Sequence, residues 1–400
     1  SGHPRMIRLG EKRFLHEDQE RFAALSSDRN PMHMDPVAAR RLLTGRQVVH
    51  GIHVFLCAMD LWAAARGAPV ASVGCTFANP VSVGDVVRFT EVEADPGTVA
   101  LEASVDGLAC ARITLRFAPD EAGGPAAGSA TVIGMDALAQ PVEAAPETHV
   151  GKTYRLTVPV DAAARAFPAA SSVLGAEAVA AAASLSYCVG MVCPGLHSIF
   201  SSFELSTRRG PGTAALDLTV RRFDPRVSLF DIVFDGAARG GIKAFQRPAP
   251  LAQPSMAEIA GHVDAQTFAG SVSLVIGASR GLGELTAKLL ASGGARTVIT
   301  YASGREDAER IAAEIRGSGR GSCVARRFDV IGETADALAD ILGEVTSVYF
   351  FATPRIYRKK IGVFDPALFD EFAAFYIGRF HALCLALEAA AAERKVRVYF

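Results

Sequence analysis

The chain has 400 residues, half of them hydrophobic and 21% charged, which is an ordinary globular composition in a length too great for one core. Forty-one Lys and Arg balance 42 Asp and Glu for a net charge of −1, so neither nucleic acid nor an anionic membrane surface is expected as a general partner. Seven cysteines, an odd number without a CxxC pair, read as reduced and mostly buried thiols of a cytoplasmic protein.

Ser1-Gly2-His3 ahead of Met6 reads as an expression remnant. The first unit then runs from about Phe14 to Phe117, with outer limits of 6–118. It opens on a helical stretch, Glu17 to Leu25. Asp35-Pro36 is the cap and first turn of another helix. An apolar helix is expected from Gly51 to about Ala65. Four strand-like runs follow at Val70–Ala78, Asp85–Glu93, Val99–Val105 and Leu108–Phe117, each bounded by Gly, Pro or Asp. Residues 119–150, rich in Ala, Gly, Pro and Glu, read as a linker or overlying loop.

Residues 151–247 repeat this plan. A strand at Tyr154–Val160 precedes an apolar helix from about Val173 to Met191. Strands are expected at His197–Thr207, Thr213–Phe223, Leu229–Phe234 and Gly241–Gln246. The two copies align at Phe77 and Phe203, each in the first strand after its long helix. The Ala-rich run from Ala176 to Ala183 is too short and interrupted for a membrane span and reads as a core helix. Cys188 and Cys193 do not have zinc-ligand spacing. Residues 248–269, with Pro248, Pro250 and Pro254, read as a second linker. From 270 to 400 strands alternate with helices: Ser273–Ile276, Thr297–Tyr301, Val324–Asp329, Ser347–Ala352 and Val396–Phe400. That alternation predicts a doubly wound parallel sheet.

The densest functional text is Asp28-Arg29-Asn30-Pro31-Met32-His33, followed by Val48-Val49-His50-Gly51. Proton transfer through a bound water needs a base to take a proton from it and an acid to give one to the substrate. A carboxylate and an imidazole beside one water provide both. Pro31 stiffens the turn between them. Alone, Asp28 reads as a turn former and His33 as a loop histidine; the combined spacing favours catalysis. Asp35 reads as a cap, and His50 and His53 as structural. His33-Met34-Asp35 lacks further ligands, so no metal site is expected.

The pattern D-x-N-P-x-H with V-H-G at the start of a central helix resembles the MaoC-like family of (R)-specific enoyl-thioester hydratases and dehydratases. Phe77-Ala78-Asn79-Pro80 and Gly84-Asp85 extend the resemblance over most of the first unit. It implies an α+β double hot-dog fold, with Asp28 and His33 as the catalytic pair and Asn30 orienting them. Helix-start amides at Gly51 would meet the thioester oxygen. The second unit lacks the pair; His197 stands alone and reads as a core or edge histidine. The resemblance makes this unit a non-catalytic partner that shapes the acyl site.

Val275-Ile276-Gly277-Ala278-Ser279-Arg280-Gly281-Leu282-Gly283 follows a strand and opens a helix, as a nucleotide-binding turn requires. Its G-x-x-x-G-x-G form resembles the short-chain dehydrogenase/reductase family and implies a Rossmann-type domain. Gly277, Ser279, Arg280, Gly281, Leu282 and Gly283 would hold the pyrophosphate. The second strand ends without a carboxylate, so Arg280 and Arg305 could meet a 2′-phosphate, which implies NADPH. Asp329 takes the place where the family contacts the adenine. The family's Asn-Ala-Gly is Phe351-Ala352-Thr353 here, and its helical Asn is Phe375. No Tyr-x-x-x-Lys occurs; Tyr357 and Lys360 are one residue too close. Two explanations compete: a reductase domain that is incomplete at its C-terminus, or a domain that binds nucleotide without reducing anything; an apolar strand ending at Phe400 favours the first.

The expectation is a double hot-dog acting on (R)-3-hydroxyacyl and trans-2-enoyl thioesters of coenzyme A or an acyl carrier protein, coupled to a 3-oxoacyl reductase-like domain. The hydratase reaction needs no cofactor, and a homodimer is compatible with the plan. The alternatives are an NADPH-dependent ketoreductase with an acyl-binding hot-dog module, or a non-catalytic acyl-binding or assembly protein.

Overall fold

The structure is a computed structural model describing residues 6–42, 44–92, 97–118, 132–134, 137–208, 213–354 and 364–400. The chain divides into two compact units, Ser1–Ala249 and Pro250–Phe400.

The strands of the first unit are β1 (Met6–Arg13), β2 (Ser72–Phe77), β3 (Val86–Val92), β4 (Thr98–Val105), β5 (Leu108–Arg116), β6 (Val132–Gly134), β7 (Thr153–Thr157), β8 (Ser198–Ser206), β9 (Ala215–Asp224), β10 (Leu229–Gly236) and β11 (Arg239–Gln246). They form one sheet in the order β1-β3-β4-β5-β2-β8-β11-β10-β9-β7-β6. Its seam is the antiparallel pair β2–β8, with Cys75 opposite Phe203. Outward from the seam the first half runs β2, β5, β4, β3, β1. The second runs β8, β11, β10, β9, β7, the same order of homologous strands. The repeat expected from the sequence is therefore present in the connectivity, and Phe77 and Phe203 both lie on seam strands.

Each half wraps its part of the sheet around one helix. Gly51–Arg66 buries residues on all sides, among them Ile52, Val54, Phe55, Leu56, Met59 and Trp62. A helix apolar all round belongs inside a core. Gly67, at φ 66°, ends it in the left-handed conformation that glycine adopts freely. The second central helix differs from the single run expected over Val173–Met191. It is a helix Pro168–Leu174, a 113° bend at Gly175, a helix Ala176–Tyr187 and a π-helical turn Cys188–Val192. Gly175, at φ 87°, permits the bend.

The sequence reading places no strand before Phe14, yet Met6–Arg13 pairs with β3 across a register shift at Arg8–Gly10. Its charged, alternating text fits a half-exposed edge better than a propensity reading does. The stretch read as a linker at 119–150 is also partly built into the fold. Val142 donates to the Met191 carbonyl and accepts from Leu196 N–H.

The second unit has β12 (Val272–Ile276), β13 (Arg296–Tyr301), β14 (Ser322–Arg327), β15 (Ser347–Phe350) and β16 (Arg397–Tyr399) in the parallel order β14-β13-β12-β15-β16. Helices Gly281–Ser292 and Arg305–Gly317 cover one face. On the other face a helical run of 26 residues, Pro366–Ala391, buries Leu383, Leu387 and Ala391. By length and composition alone it is apolar enough to cross a membrane. Part of the expected second linker belongs to this unit. Ser255 caps the helix Met256–Ile259, and the buried Lys288 ammonium binds the Pro254 carbonyl, Glu284 and Glu314.

Burial pushes His53 down to about 3, and holds His50 well below and His149 below the usual histidine value. In the unfolded chain each protonates near pH 6.5, whereas in the fold it stays neutral to lower pH. Their stabilisation is therefore complete above pH 6.5 and is lost as pH falls towards the folded values. For His53 the loss is about 2 kcal/mol by pH 5. Thermal melts between pH 7 and 5 should show His53→Phe losing less stability on acidification than the parent chain; equal losses would refute this.

Candidate active site

Asp28 and Asn30 sit on the turn between helix His16–Ser26 and the short helix Pro31–Met34, and His33 lies within that short helix. Asn30 caps the short helix, its side chain accepting from Met32 N–H, and Pro31 fills the first helical position. Ser27, at φ 64°, turns the chain out of the first helix. Asp28 is 1% exposed, Asn30 0% and His33 8%.

His33 is held from both sides of its ring. Its Nδ1 lies 2.6 Å from the Val48 carbonyl. A carbonyl only accepts, so Nδ1 carries the proton and the lone pair sits on Nε2. Gln19, fully buried, donates to the carbonyls of both Val48 and His33. His33 Nε2 stands 3.9 Å from Asp28 Oδ2.

His50 also belongs to this cluster, although the sequence suggests a structural role. Its Nε2 donates to the Asp28 carbonyl at 3.1 Å, and its ring stacks on His33 at 3.9 Å. Asp28, His33 and His50 offer ligand atoms within 4.8 Å of one another, a spacing that a metal ion can use. The hydrogen bonds argue against that use, because His50 Nε2 carries its proton toward a carbonyl and so has no lone pair for an ion at Asp28.

The second half completes the site. Ser186 Oγ donates to Asp28 Oδ2 at 2.7 Å, and Asn30 N–H donates to Oδ1 at 3.1 Å. Asn30 Nδ2 donates to the Gly190 carbonyl at 2.7 Å and to Gly195 O at 3.2 Å. A Cβ on Gly190 would stand 2.5 Å and 2.6 Å from the two Asp28 oxygens, so only glycine allows the π-turn to approach this closely. Burial raises the Asp28 carboxyl above its usual value, against the opposing pull of His33, Ser186 and the Asn30 amide. Neither Ser186 nor Gly190 carried a sequence signal: a serine in an Ala-rich helix looks like a core residue.

Gly51 begins the first central helix, and neither its amide nor that of Ile52 has a hydrogen-bond partner among the described residues. These are unmet donors at the positive end of a helix. A Cβ on Gly51 would sit 3.0 Å from the Phe77 ring. Asp35 caps the helix Pro36–Ala39. His197 pairs with Glu143 at 3.0 Å, away from Asp28.

In the second unit, Gly277 at φ 80° and Gly281 at φ 61° form the turn after β12. A Cβ on Gly283 would meet the Gly277 carbonyl at 2.5 Å, and one on Gly277 the Ala352 amide at 2.8 Å. The helix Gly281–Ser292 has no side-chain cap, so its first-turn amides face the turn. This cradle fits a dinucleotide pyrophosphate. Leu282 is exposed, and Ser279 lies in the turn. Arg280 is exposed just before the helix; Arg305 is exposed and bonded to Glu309 at 2.7 Å. Asp329 lies just beyond β14 and accepts from Ile331 N–H. Tyr357 and Lys360 lie outside the described residues.

Residues 5–106 match the model of the MaoC like domain, and residues 271–349 that of short chain dehydrogenase. The chain is 36% identical over 81 residues to a probable tetrahydroxynaphthalene reductase of Zymoseptoria tritici, covering 20% of this chain and 30% of that protein. It is 55% identical over 48 residues to an NADPH-dependent aldehyde reductase-like protein, chloroplastic, of Arabidopsis thaliana, covering 12% and 18%. The chain thus spans less than a third of either curated relative. A solved MaoC-like dehydratase is 12% identical, with 62% of this chain and 98% of that one covered at a TM-score of 0.39. The chain joins a MaoC-like domain at its N-terminal end to a short-chain dehydrogenase domain at its C-terminal end.

Proposed function

We propose that the N-terminal unit hydrates trans-2-enoyl thioesters to (R)-3-hydroxyacyl thioesters and runs the reverse dehydration. The observation that carries this reading is the buried Asp28–His33 pair. At 3.9 Å the two groups are too far apart for a direct hydrogen bond, and one water can touch both. In the hydration direction His33 Nε2 accepts a proton from the water as its oxygen bonds to the β-carbon. The protonated Asp28 carboxyl, whose pKa burial raises, donates its proton to the α-carbon. One proton leaves the pair and one enters, and transfer from His33 back to Asp28 resets it. The Gly51 and Ile52 amides stabilise the charge that develops on the thioester oxygen. The Asn30 N–H holds the Asp28 carboxyl and His50 its backbone carbonyl.

We further propose that the glycine turn of the second unit binds NADPH, with Gly277, Gly281 and Gly283 giving the close approach and Arg280 and Arg305 beside the 2′-phosphate. Bound NADPH supplies a hydride. Asp329 would border the adenine. Seven free cysteines suit a reducing compartment such as the cytoplasm. The acyl carrier is coenzyme A or a carrier protein, and a homodimer remains compatible with both.

Absorbance of crotonyl-coenzyme A, and of its carrier-protein counterpart, tests the first reading. Asp28→Asn and His33→Ala should each slow turnover roughly 10²–10⁴-fold. A wild-type chain inert toward both carriers would end the assignment.

Ser186→Ala should cost about tenfold in kcat, the scale of one hydrogen bond to a charged group. Because the Ser186 bond lowers the Asp28 pKa, its loss should also move the pH dependence governed by Asp28 to higher pH. An unmoved pH profile would mean that Ser186 only fills space.

NADPH binding is read by quenching of its fluorescence. Gly283→Val should abolish it, and Arg305→Ala should narrow the preference for NADPH over NADH at least severalfold. Equal affinity for both nucleotides in the parent chain would contradict the 2′-phosphate assignment.

A further inference from the structure

Phe22 is shared between the proposed catalytic cluster and a second feature of the same unit. Its ring lies 5.0 Å from that of His50 and stacks at 4.7 Å on that of His53. Phe22 and His53 both line a cavity of about 500 Å³ to which Asp28, Asn30, His33 and Gly51 contribute nothing. That volume is within the range of small-molecule sites.

The walls combine apolar Phe22, Leu25, Leu61 and Phe167 with two carboxylates and two cations that pair elsewhere. Two further polar groups stand among them. His53 is 7% exposed, and its Nδ1 is buried without a hydrogen-bond partner. Such an atom costs stability unless something satisfies it. The other is Asp60, whose Oδ1 accepts from the Ala170 amide at 2.9 Å. Among the described residues no cation lies within salt-bridge distance of it.

The remaining charges round the cavity are matched. Lys12 meets Asp18 at 2.8 Å, Glu11 meets Arg8 at 3.0 Å and Arg88 at 3.1 Å, and Arg21 meets Glu17 at 3.5 Å. The uncompensated charge is therefore the Asp60 carboxylate, in a cavity that two phenylalanines also line.

We infer that this cavity is a binding site for a small organic ammonium with an apolar body, its charge on Asp60 and its body between Phe22, Leu61 and Phe167. A positive nitrogen supplies what Asp60 lacks. An anionic ligand would face Asp60 unaided, since both cations at the rim already have partners. The site is separate from thioester turnover, so it can stand or fall independently of the hydratase reading.

Benzylammonium and its neutral counterpart benzyl alcohol are the probes, titrated into the full chain by calorimetry and saturation-transfer NMR. Benzylammonium should bind at least fivefold more tightly than benzyl alcohol. Asp60→Asn keeps an oxygen for the Ala170 amide and should weaken benzylammonium about tenfold while leaving benzyl alcohol unchanged. Ala166→Trp fills the cavity from its rim and should abolish binding of both, with circular dichroism verifying the fold. Benzylammonium that binds no better than the alcohol, that ignores Asp60→Asn, or that still binds folded Ala166→Trp would overturn the assignment.

Discussion

The first unit depends on bringing the second half's backbone against the Asp28 carboxylate. Gly190 approaches so closely that a single methyl group would collide with both carboxylate oxygens. Ser186 and the Asn30 amide then supply the donors that water would otherwise provide. The result is a nearly dehydrated carboxyl that holds its proton at higher pH than usual while keeping enough hydrogen bonds to ionise. Neither half alone makes that environment. The seam between β2 and β8 fixes the halves to each other, and Asn30 ties the Asp28–His33 turn to the Gly190 and Gly195 carbonyls of the second half.

The π-helical turn is part of the same arrangement. The helix ends here, where the last-turn carbonyls have no partner of their own. The Gly190 carbonyl goes to Asn30 and the Met191 carbonyl to Val142. These two bonds hold the Asp28–His33 turn and the overlying segment against a less regular helix. Burial of the long apolar helix makes this affordable, since its stability comes from packing rather than from local propensity.

Much of the fold was legible in the sequence because it rests on local patterns. The central helix at Gly51–Arg66, the paired runs of four strands and the glycine turn at Gly277–Gly283 all have periodicity or turn chemistry that a single segment carries. Met6–Arg13 was missed because its strand character comes from pairing with β3, not from its own residues. The bend at Gly175 was missed because the apolar text continues unbroken through it. Asp28 and His33 stood out by spacing, and Asn30 with them. Ser186, Gly190 and Gln19 did not, because each acts through a partner far away in sequence: Ser186 reaches Asp28 across 158 positions. The alanine-rich context that hid Ser186 also lets the helices come close enough for it to reach.

The asymmetry between the halves follows from what burial costs. Both halves place a short helical segment with proline at its first position before the long run of the central helix, Pro31–Met34 and, ahead of the bend at Gly175, Pro168–Leu174. In the first half the residue before the proline is Asn30, which uses its side chain to hold the Asp28–His33 turn. In the second it is Phe167, which packs into the core and against His53. A second buried carboxylate at the matching place would need its own glycine approach, its own serine and its own asparagine to offset several kcal/mol of desolvation. With Arg165 at the place of Asp28 and Phe167 at that of Asn30, the second half contributes apolar area and keeps Ser186 and Gly190 available to Asp28. One half carries the charge and the other carries the environment that makes the charge useful, a division of labour that a duplicated fold in one chain permits and two identical copies do not.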